Sequence, residues 1–540
     1  MGFAQGQNKE PRMTDDEQPK PTPRSEDPWL ILNAMRQTDL AERAQHLTPW
    51  MDLVAKRPPL ERDALIEAGK EIWRYRVATV RERLDEQTKK EKQVSVPAPT
   101  VATADFLAET ISQPDKPSRT AYAVYYFAKP EDPPAVVDSL VVGDTTYCPP
   151  DIQSLGRKAV VLPMTVEDFG SPALLHNAIT AYLGEFFYIP QEKRDFLHVV
   201  AAYVMAAWHA DKFPVVSYLR ALGDFETGKT TLIKLVGLLC PRAVFAGGAI
   251  TPAVIYRLLD DIHGTLVLDE ADFTQSDAWA EILKILCLGY QPDFRILRTD
   301  RVGDAFVVVG FNCFGPKVLA TRGLFPDQAL ESRCLTYTTE LVPDLPPNFP
   351  LAIPPEAYDR AAQLRNMLLW WRFTSYSSIR LDLWSRVEGV ELRAQQVLQP
   401  LLVCTSDTTA RARIIAWARQ RSYALRQERS ESSEGRILQE LEEQKQRAKI
   451  SGCWMVSKVT ELLNMNTPGR FQLTERSVGK KLSALGFRHV RGPNNTAAYA
   501  YDDDLLQRLR AAYGLKPPRT PFRLPEPTDP PSPPQSGGPS

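Results

Sequence analysis

Apolar residues along the middle of the chain follow two different spacings. Residues 213–222 form a short apolar, β-branched run, which is typical of a buried strand. Residues 231–240 carry apolar side chains at helical spacing and end before Pro241, which predicts a helix. Further apolar runs at 265–268 and 314–321 predict more core strands. Strands that alternate with helices in this way indicate an α/β fold.

The residues before this core have other patterns. Residues 27–86 are predicted to form a small amphipathic helical bundle, and residues 87–102, charged and then rich in Pro, Val and Ala, a linker. Residues 103–170 contain β-like runs and predict a small β-containing module of unknown role. The α/β core is assigned to residues 171–345, and its entry at 174–210 is predicted to be helical.

The residues after the core predict two further regions. Residues 346–429 have a helical pattern and are assigned as a helical lid. Residues 430–505 have the order helix, short strand, helix, helix and two strands, with Thr474 suited to a helix start and Gly486 to a helix end. A wing-like turn at 492–495 completes the pattern of a winged helix-turn-helix, which binds either DNA or protein.

Composition narrows the class of protein. The 540 residues allow several domains, and a hydrophobic content of 43% fits a globular protein. No apolar run reaches the roughly 18 residues of a membrane span, and no secretory signal is visible, so we expect a cytoplasmic protein. The 7 cysteines and 6 histidines form no ligand cluster, which predicts free thiols and no zinc site. Residues 1–26 and the Pro-rich tail at 516–540 are predicted to be disordered.

Residues 223–230 match the pattern G-x-x-x-x-G-K-[ST], which predicts a phosphate-binding loop between a strand and a helix. Gly223 and Gly228 permit the backbone to curl around a phosphate. Lys229 can reach the β- and γ-phosphate oxygens, and the Thr230 hydroxyl can bind Mg²⁺. The predicted ligand is therefore ATP with Mg²⁺, and its binding residues are Gly223, Asp224, Phe225, Glu226, Thr227, Gly228, Lys229, Thr230 and Thr231.

Two acids follow the next predicted strand. Asp269 ends the apolar run and is predicted to hold Mg²⁺, while Glu270 is predicted to polarise the attacking water. Two adjacent acids favour an ATPase that hydrolyses ATP over a kinase that needs an acceptor.

Four later residues are candidates for contact with the γ-phosphate. Thr321 ends a predicted core strand near that phosphate. Arg333 opens a strand-like stretch after a short helix, from which it can reach the γ-phosphate of a neighbouring subunit as an arginine finger. Arg322 is the competing candidate for that role, and Arg393 in the lid is a second candidate sensor.

The segment from about 185 to 340 resembles the AAA+-like ATPase core of replication proteins from bacterial phages and mobile elements, in the superfamily III and MCM-like helicase group. The resemblance is weak before residue 150. It implies a P-loop NTPase fold, helicase activity, a homo-oligomer that is a hexamer, and a primase or other replication partner on another chain. The matching residues are 223–230, 257–260, 265–272, 314–321 and 329–333.

A hairpin is predicted by two β-like runs at 295–299 and 305–309. In ring helicases a hairpin at this place projects into the central pore and contacts DNA phosphates, which makes Arg298 and Arg301 candidates for DNA contact. The alternative is an ordinary edge hairpin.

The formal net charge of the chain is -1, so any contact with DNA has to come from local patches. One such patch lies in the predicted winged helix. Residues 474–491 contain five cations and the single acid Glu475, which gives a local net charge of 5 - 1 = +4. This balance suits a recognition helix that rests on phosphates. The five cations are Arg476, Lys480, Lys481, Arg488 and Arg491.

Two main classes of function stay open. The first is an oligomeric, ATP-driven DNA translocase that unwinds DNA during replication of a phage or mobile element. The second is a DNA-binding ATPase switch, such as an initiator or loader, that does not unwind DNA. A third is a regulator whose winged helix binds only protein.

Overall fold

The computed structural model describes the chain between residues 27 and 515. Gaps lie at 37, 56, 58, 75–76, 82–83, 85–94, 114, 151–159, 248–249, 270–276, 303–304, 326, 343–344, 348, 383, 448–451 and 466. The chain divides into two compact units. The first contains residues 1–110, 120–127 and 134–151, and the second contains 111–119, 128–133 and 152–540.

The described part of the first unit begins with helices. Asp27 starts the first of them by accepting a hydrogen bond from the Trp29 N–H group. Trp50 is fully buried, and its ring centre lies 4.9 Å from that of Trp73, at the centre of the apolar core that the helices share. The helices are α1 (Pro28–Met35), α2 (Leu40–Ala55) and α3 (Pro59–Trp73).

Short strands follow these helices. The strands are β1 (Ser95–Pro97), β2 (Thr100–Ala102), β3 (Phe106–Gln113), β4 (Lys116–Tyr126), β5 (Ala135–Val137), β6 (Leu140–Val142) and β7 (Thr145–Cys148). They form a four-stranded sheet in the order β2-β3-β4-β5 and a three-stranded sheet in the order β1-β7-β6. Strand β1 lies inside the predicted linker. It is a strand because it pairs in parallel with β7, which comes much later in the chain.

The second unit contains a six-stranded sheet in the order β15-β9-β14-β11-β10-β8. All neighbouring pairs in it are parallel except β8 with β10. The predicted α/β fold is confirmed, and β14 lies between β9 and β11. The strands of this unit before residue 339 are β8 (Val160–Val161), β9 (Tyr218–Leu222), β10 (Ala243–Ala246), β11 (Leu266–Leu268), β12 (Arg295–Val302), β13 (Ala305–Asn312), β14 (Lys317–Thr321) and β15 (Cys334–Thr338).

Prolines account for where several of these elements begin. Strands β9 and β14 start at Tyr218 and Lys317, later than predicted. Strand β14 begins directly after Pro316, which has no N–H group to donate to a neighbouring strand. The helical entry to the core is likewise two helices, separated by a segment that contains Pro190. These helices are α4 (Pro172–Phe186) and α5 (Asp195–Ala207).

Helices connect and follow the strands. They are α6 (Lys229–Gly237), α7 (Pro252–Ile262), α8 (Asp277–Leu288), α9 (Gln328–Glu331), α10 (Pro355–Ser375), α11 (Leu392–Val403) and α12 (Thr408–Glu431). Helix α6 follows β9 and packs on both β9 and β14, so the loop at its start lies at the carboxyl end of the sheet strands. Helices α11 and α12, in the region predicted as a lid, pack against α5.

Strands β12 and β13 form the predicted hairpin. They pair from Arg295 with Asn312 to Val302 with Ala305, so both strands are longer than the sequence pattern indicated. One face of the hairpin buries Phe311, whose ring centre lies 4.7 Å from that of Tyr256 in α7.

The chain ends in a small mixed domain. Its elements are α13 (Ser433–Arg447), β16 (Cys453–Met455), α14 (Val456–Asn464), α15 (Glu475–Ala484), β17 (His489–Arg491), β18 (Ala497–Ala500) and α16 (Asp503–Ala512). Its strands form an antiparallel sheet in the order β16-β18-β17. Thr474 caps α15 by accepting a hydrogen bond from the Ser477 N–H group at 3.2 Å. Helix α16 extends beyond the predicted boundary at residue 505, because buried Leu506 belongs to the same core.

Candidate functional site

The loop between β9 and α6 has a conformation that requires its glycines. Gly228 has a φ of 83°, in the left-handed region, and stands at the start of α6. A Cβ atom on Gly223 would lie 2.2 Å from Oγ1 of Thr339, so a larger residue does not fit there. The loop is therefore closely packed against the sheet, and the unpaired N–H groups at the start of α6 are beside it.

Thr339 holds this loop from the neighbouring strand. Its N–H group donates to the Leu222 carbonyl oxygen at 2.7 Å, and its Oγ1 shares a 2.7 Å hydrogen bond with Oγ1 of Thr227. Sequence reasoning missed Thr339. Its only signal in the sequence is its position directly after the strand-like stretch that Arg333 opens.

The predicted cation and metal ligands meet at this loop. Lys229 Nζ donates to the carbonyl oxygen of Asp224. Thr230 Oγ1 lies 2.9 Å from Oδ2 and 3.2 Å from Oδ1 of Asp269, which is 39 residues later in the chain. They meet because β9 and β11 are separated only by β14, and the carboxyl ends of these parallel strands lie side by side. Thr230 is exposed and Asp269 is half-buried, so neither side chain is closed off from a ligand.

These residues fit a magnesium–nucleotide complex. A hydroxyl and a carboxylate are oxygen ligands of the kind that Mg²⁺ prefers. The ammonium group of Lys229 and the positive end of the α6 dipole suit a polyphosphate. The residues that the structure describes contain no group of three His, Cys, Asp or Glu side chains that could hold a metal ion without a nucleotide.

Thr321 lies between the loop and Asp269 in the sheet. Its carbonyl oxygen accepts a hydrogen bond of 3.1 Å from the Gly223 N–H group. Its Oγ1 atom is buried, with no hydrogen-bond partner among the described residues. Glu270 lies outside the described residues, so its action on water stays a prediction.

Arg333 lies at the amino end of the sheet strands, opposite the end where the loop lies. It precedes β15, whose first residue pairs with Tyr218 at the start of β9, whereas the loop follows the end of β9. The Arg333 side chain is only 8% exposed. Its Nη1 donates to the Cys287 carbonyl oxygen at 2.8 Å, and its guanidinium carbon lies 3.6 Å from the centre of the Tyr290 ring. Arg333 therefore cannot reach the loop of its own chain.

Arg393, the second candidate sensor, lies in the same region. Its Nη1 is 3.5 Å from Oγ of Ser332, beside Arg333 and away from the loop that follows β9.

The two candidate cations of the hairpin differ in their surroundings. Arg298 is in an ion pair with Glu281 of α8, and its guanidinium carbon lies 5.5 Å from the centre of the Tyr256 ring. Arg301 is exposed and pairs in register with Phe306, which is 76% exposed. Arg298 is therefore directed toward its own chain, and Arg301 lies on the exposed face of the hairpin.

The cations of the carboxy-terminal domain also divide into two groups. Lys481 Nζ lies 2.5 Å from Oε1 of Glu434, which ties α15 to α13. The other four candidate cations are exposed: two lie on α15, one precedes β17, and one ends β17 beside the turn to β18. That turn contains Asn494 and Asn495, with φ of 53° and 61°. The exposed cations are Arg476, Lys480, Arg488 and Arg491.

Comparisons with known proteins give weak similarities. No family model and no curated protein matches the chain. Among solved structures, "SCCmec type IV Cch - active helicase" is 11% identical, with 81% of this chain and 85% of that chain covered and a TM-score of 0.39. A full-length MCM homolog from Methanopyrus kandleri is 11% identical, with 60% and 73% covered and a TM-score of 0.29.

"The X-ray structure of JCV Helicase" is 13% identical, with 46% of this chain covered and a TM-score of 0.22. This chain spans 59% of the length of that helicase chain. Because these TM-scores are all below 0.5, the function has to be argued from the residues of this chain. No helix among the described residues is both long and apolar enough to cross a membrane.

Proposed function

We propose that this protein is an ATP-hydrolysing, DNA-directed motor with a P-loop, AAA+-like core, and that it acts as a replicative helicase of a phage or mobile element. The contact between Thr230 and Asp269, next to Lys229, carries the proposal. It places a hydroxyl, a carboxylate and an ammonium group together at the start of a helix, where magnesium and phosphate oxygens can bind.

The residues of the loop divide the work of binding ATP. Loop N–H groups and Lys229 would hold the β- and γ-phosphates, while Thr230 and Asp269 would hold Mg²⁺. When bound, the metal ion neutralises negative charge on the phosphate oxygens. Glu270 polarises the attacking water, and the unpartnered hydroxyl of Thr321 orients that water or the terminal phosphate.

The carboxy-terminal domain is the proposed DNA-binding part. Its element order, helix, strand, helix, helix and two strands, is that of a winged helix, with α15 as the recognition helix. Arg476 and Lys480 are four positions apart on α15 and therefore share one face of the helix. They can contact DNA phosphates, and Arg488 and Arg491 can do so from the wing.

Oligomer formation completes the proposal. The position of Arg333, at the end of the sheet strands opposite its own loop, supports a role toward the γ-phosphate of a neighbouring copy in a hexamer. Its guanidinium group would have to leave the Cys287 carbonyl oxygen to do so. The exposed hairpin face that carries Arg301 is the proposed contact with DNA in the central pore, and a primase on another chain is the proposed partner.

Strand displacement tests the function directly. The full chain is incubated with ATP, Mg²⁺ and a forked DNA duplex, and release of the shorter strand is followed over time. We expect release by the natural protein and none by Lys229→Ala. ATP hydrolysis stimulated by single-stranded DNA without any strand release would reject the helicase and favour an initiator or loader.

A further inference from the structure

An exposed arginine lies directly over the proposed phosphate loop. Arg322 follows Thr321 at the carboxyl end of β14, and its guanidinium carbon lies 3.7 Å from the centre of the Phe225 ring. Phe225 is the third residue of the loop and is 62% exposed. An arginine above an aromatic ring at this distance makes a cation–π contact.

The backbone beside Arg322 is fixed relative to the loop. Thr321 pairs in register with Leu222, and its carbonyl oxygen accepts the Gly223 N–H group at 3.1 Å. Strand β14 cannot move away from the loop without breaking the sheet. The Arg322 side chain is exposed beside this fixed backbone and contacts the loop through the Phe225 ring.

The position of Lys229 shows which end of a bound triphosphate Arg322 would face. Lys229 Nζ contacts the Asp224 carbonyl oxygen, next to Phe225. A lysine at this place in the motif binds the β- and γ-phosphate oxygens. The segment that contains Asp224 and Phe225 therefore borders the end of the phosphate chain, and Arg322 lies above it.

We propose that Arg322 is a catalytic residue that acts within its own chain, leaving the Phe225 ring to bind the terminal phosphate of ATP. The inference rests on the proposed ATPase function. A hydrogen-bonded contact between arginine and phosphate is stronger than an exposed cation–π contact, so the nucleotide displaces the ring. Arg322 then supplies positive charge where negative charge develops.

The reaction that Arg322 assists is hydrolysis. The oxygen of a water molecule bonds to the terminal phosphorus while the bond from that phosphorus to the bridging oxygen breaks. The bridging oxygen keeps the electron pair on the departing ADP, and a water proton passes to the released phosphate. The guanidinium group of Arg322 neutralises the charge on the oxygens of the transferred group and exchanges no proton itself.

Two substitutions of Arg322 test this role. We expect Arg322→Ala to lower kcat for ATP about 10²- to 10³-fold, since the loss of one charge-stabilising donor has an effect of this size. The affinity for ADP, measured by calorimetry, should stay unchanged because ADP lacks the terminal phosphate. Arg322→Lys should recover part of the rate, because it keeps the charge but not the planar fork. A kcat of Arg322→Ala equal to that of the natural protein overturns the proposal.

Mixing experiments decide whether the arginine acts within one chain. Arg322→Ala and Lys229→Ala are combined at equal concentrations. If Arg322 serves its own loop, no active site in the mixture is complete, and ATPase activity stays at the sum of the two variants. A gain in activity would mean that Lys229→Ala subunits lend their Arg322 to neighbours, which overturns the proposal. Arg333→Ala with Lys229→Ala is the matched mixture, in which a gain is expected.

The ring of Phe225 gives an independent test. Phe225→Leu removes the surface on which Arg322 rests, so we expect ATP to bind about two- to fivefold more tightly, with ADP affinity unchanged. Equal ATP affinity would show that the ring does not compete with phosphate. If the natural protein itself neither binds nor hydrolyses ATP, both the proposed function and this inference fail. Normal hydrolysis by Arg322→Ala removes only the inference.

Discussion

The carboxyl and amino ends of the strands in the parallel sheet both carry basic side chains, but these side chains differ in burial and in hydrogen-bond partners. At the carboxyl ends of the strands, Thr230 is exposed and Lys229 and Asp269 are half-buried, and the three contact one another or a loop carbonyl oxygen. At the amino ends, Lys317 is fully buried and donates to the carbonyl oxygens of Gly289, Cys313 and Gly315 at 3.0, 2.9 and 2.8 Å.

The hydrogen-bond partners of a basic side chain therefore indicate whether it can bind a ligand or instead stabilises the fold. Lys317 donates its side-chain N–H groups to three protein carbonyl oxygens, which leaves no bond for a ligand. Lys481 and Arg298, each in an ion pair with its own chain, belong with Lys317 in this respect.

The largest effect should follow from changes at the carboxyl ends of the strands. We expect Lys229→Ala and Asp269→Asn each to lower the ATPase rate about 10²- to 10³-fold, because each removes a charge that the reacting phosphates require. Thermal unfolding should change little, since neither side chain belongs to the buried core. A large loss of stability in either variant would break the contrast between the two ends of the strands.

The next effect concerns the amino ends of the strands. Lys317→Met should lower the free energy of unfolding by about 3 kcal/mol, because it leaves buried carbonyl oxygens without a donor. Chemical denaturation provides the measurement. The control is Lys234→Met on the exposed face of α6, for which a change within about 0.5 kcal/mol is expected. Equal stability of both variants would contradict a structural role for Lys317.

A third test concerns a buried basic group that stays neutral. His176 Nε2 lies 3.2 Å from His198 Nδ1, and burial, together with His198, lowers the pKa of His176 from 6.5 to about 4. The unfolded chain therefore binds a proton at higher pH than the folded protein does. Stability from this group is complete above pH 6.5. It should fall by about 2 kcal/mol as the pH decreases to about 5.

Denaturation of the natural protein and of His176→Gln across this pH range checks the expectation. The variant should lose less stability on acidification, because it has no titrating ring at this position. Parallel stability curves would show that other groups control the acid response.

A smaller effect is expected for the carboxy-terminal domain. The double variant Arg476→Ala with Lys480→Ala should weaken DNA binding about tenfold and reduce the slope of log affinity against log salt by about 2, because two phosphate contacts are lost. Lys481→Ala is the matched control, with the same charge removed from a cation that is paired with Glu434. A similar loss of salt dependence in the control would remove the distinction between paired and exposed cations.

The smallest effect should come from the hairpin. Arg301→Ala is expected to reduce the stimulation of ATPase activity by single-stranded DNA about three- to fivefold, which corresponds to one exposed phosphate contact. Arg298→Ala should leave this stimulation unchanged and lower stability slightly, since its partner is Glu281. Stimulation that depends on Arg298 and not on Arg301 would reverse the assignment of the two hairpin faces.

Much of this site was predictable because its signals are local in sequence. A phosphate loop needs glycines, a lysine and a hydroxyl within eight residues, and the strand that ends in Asp269 has an unbroken apolar pattern. The α/β class followed from the same alternation. Helix α16 was missed although Asp502 caps it, since its apolar residues are few and its burial depends on the core of the preceding helices.

The amino-acid sequence specifies the chemical groups at the loop and the alternation of strands and helices around them, because backbone conformation and apolar periodicity depend on near neighbours. Which distant groups meet depends on the fold. The strand order brings Asp269 to Thr230, Thr339 to Gly223 and Arg322 to Phe225, and it turns Arg333 away from its own loop. The physical reason is that strand pairing across long separations, not local propensity, fixes these contacts.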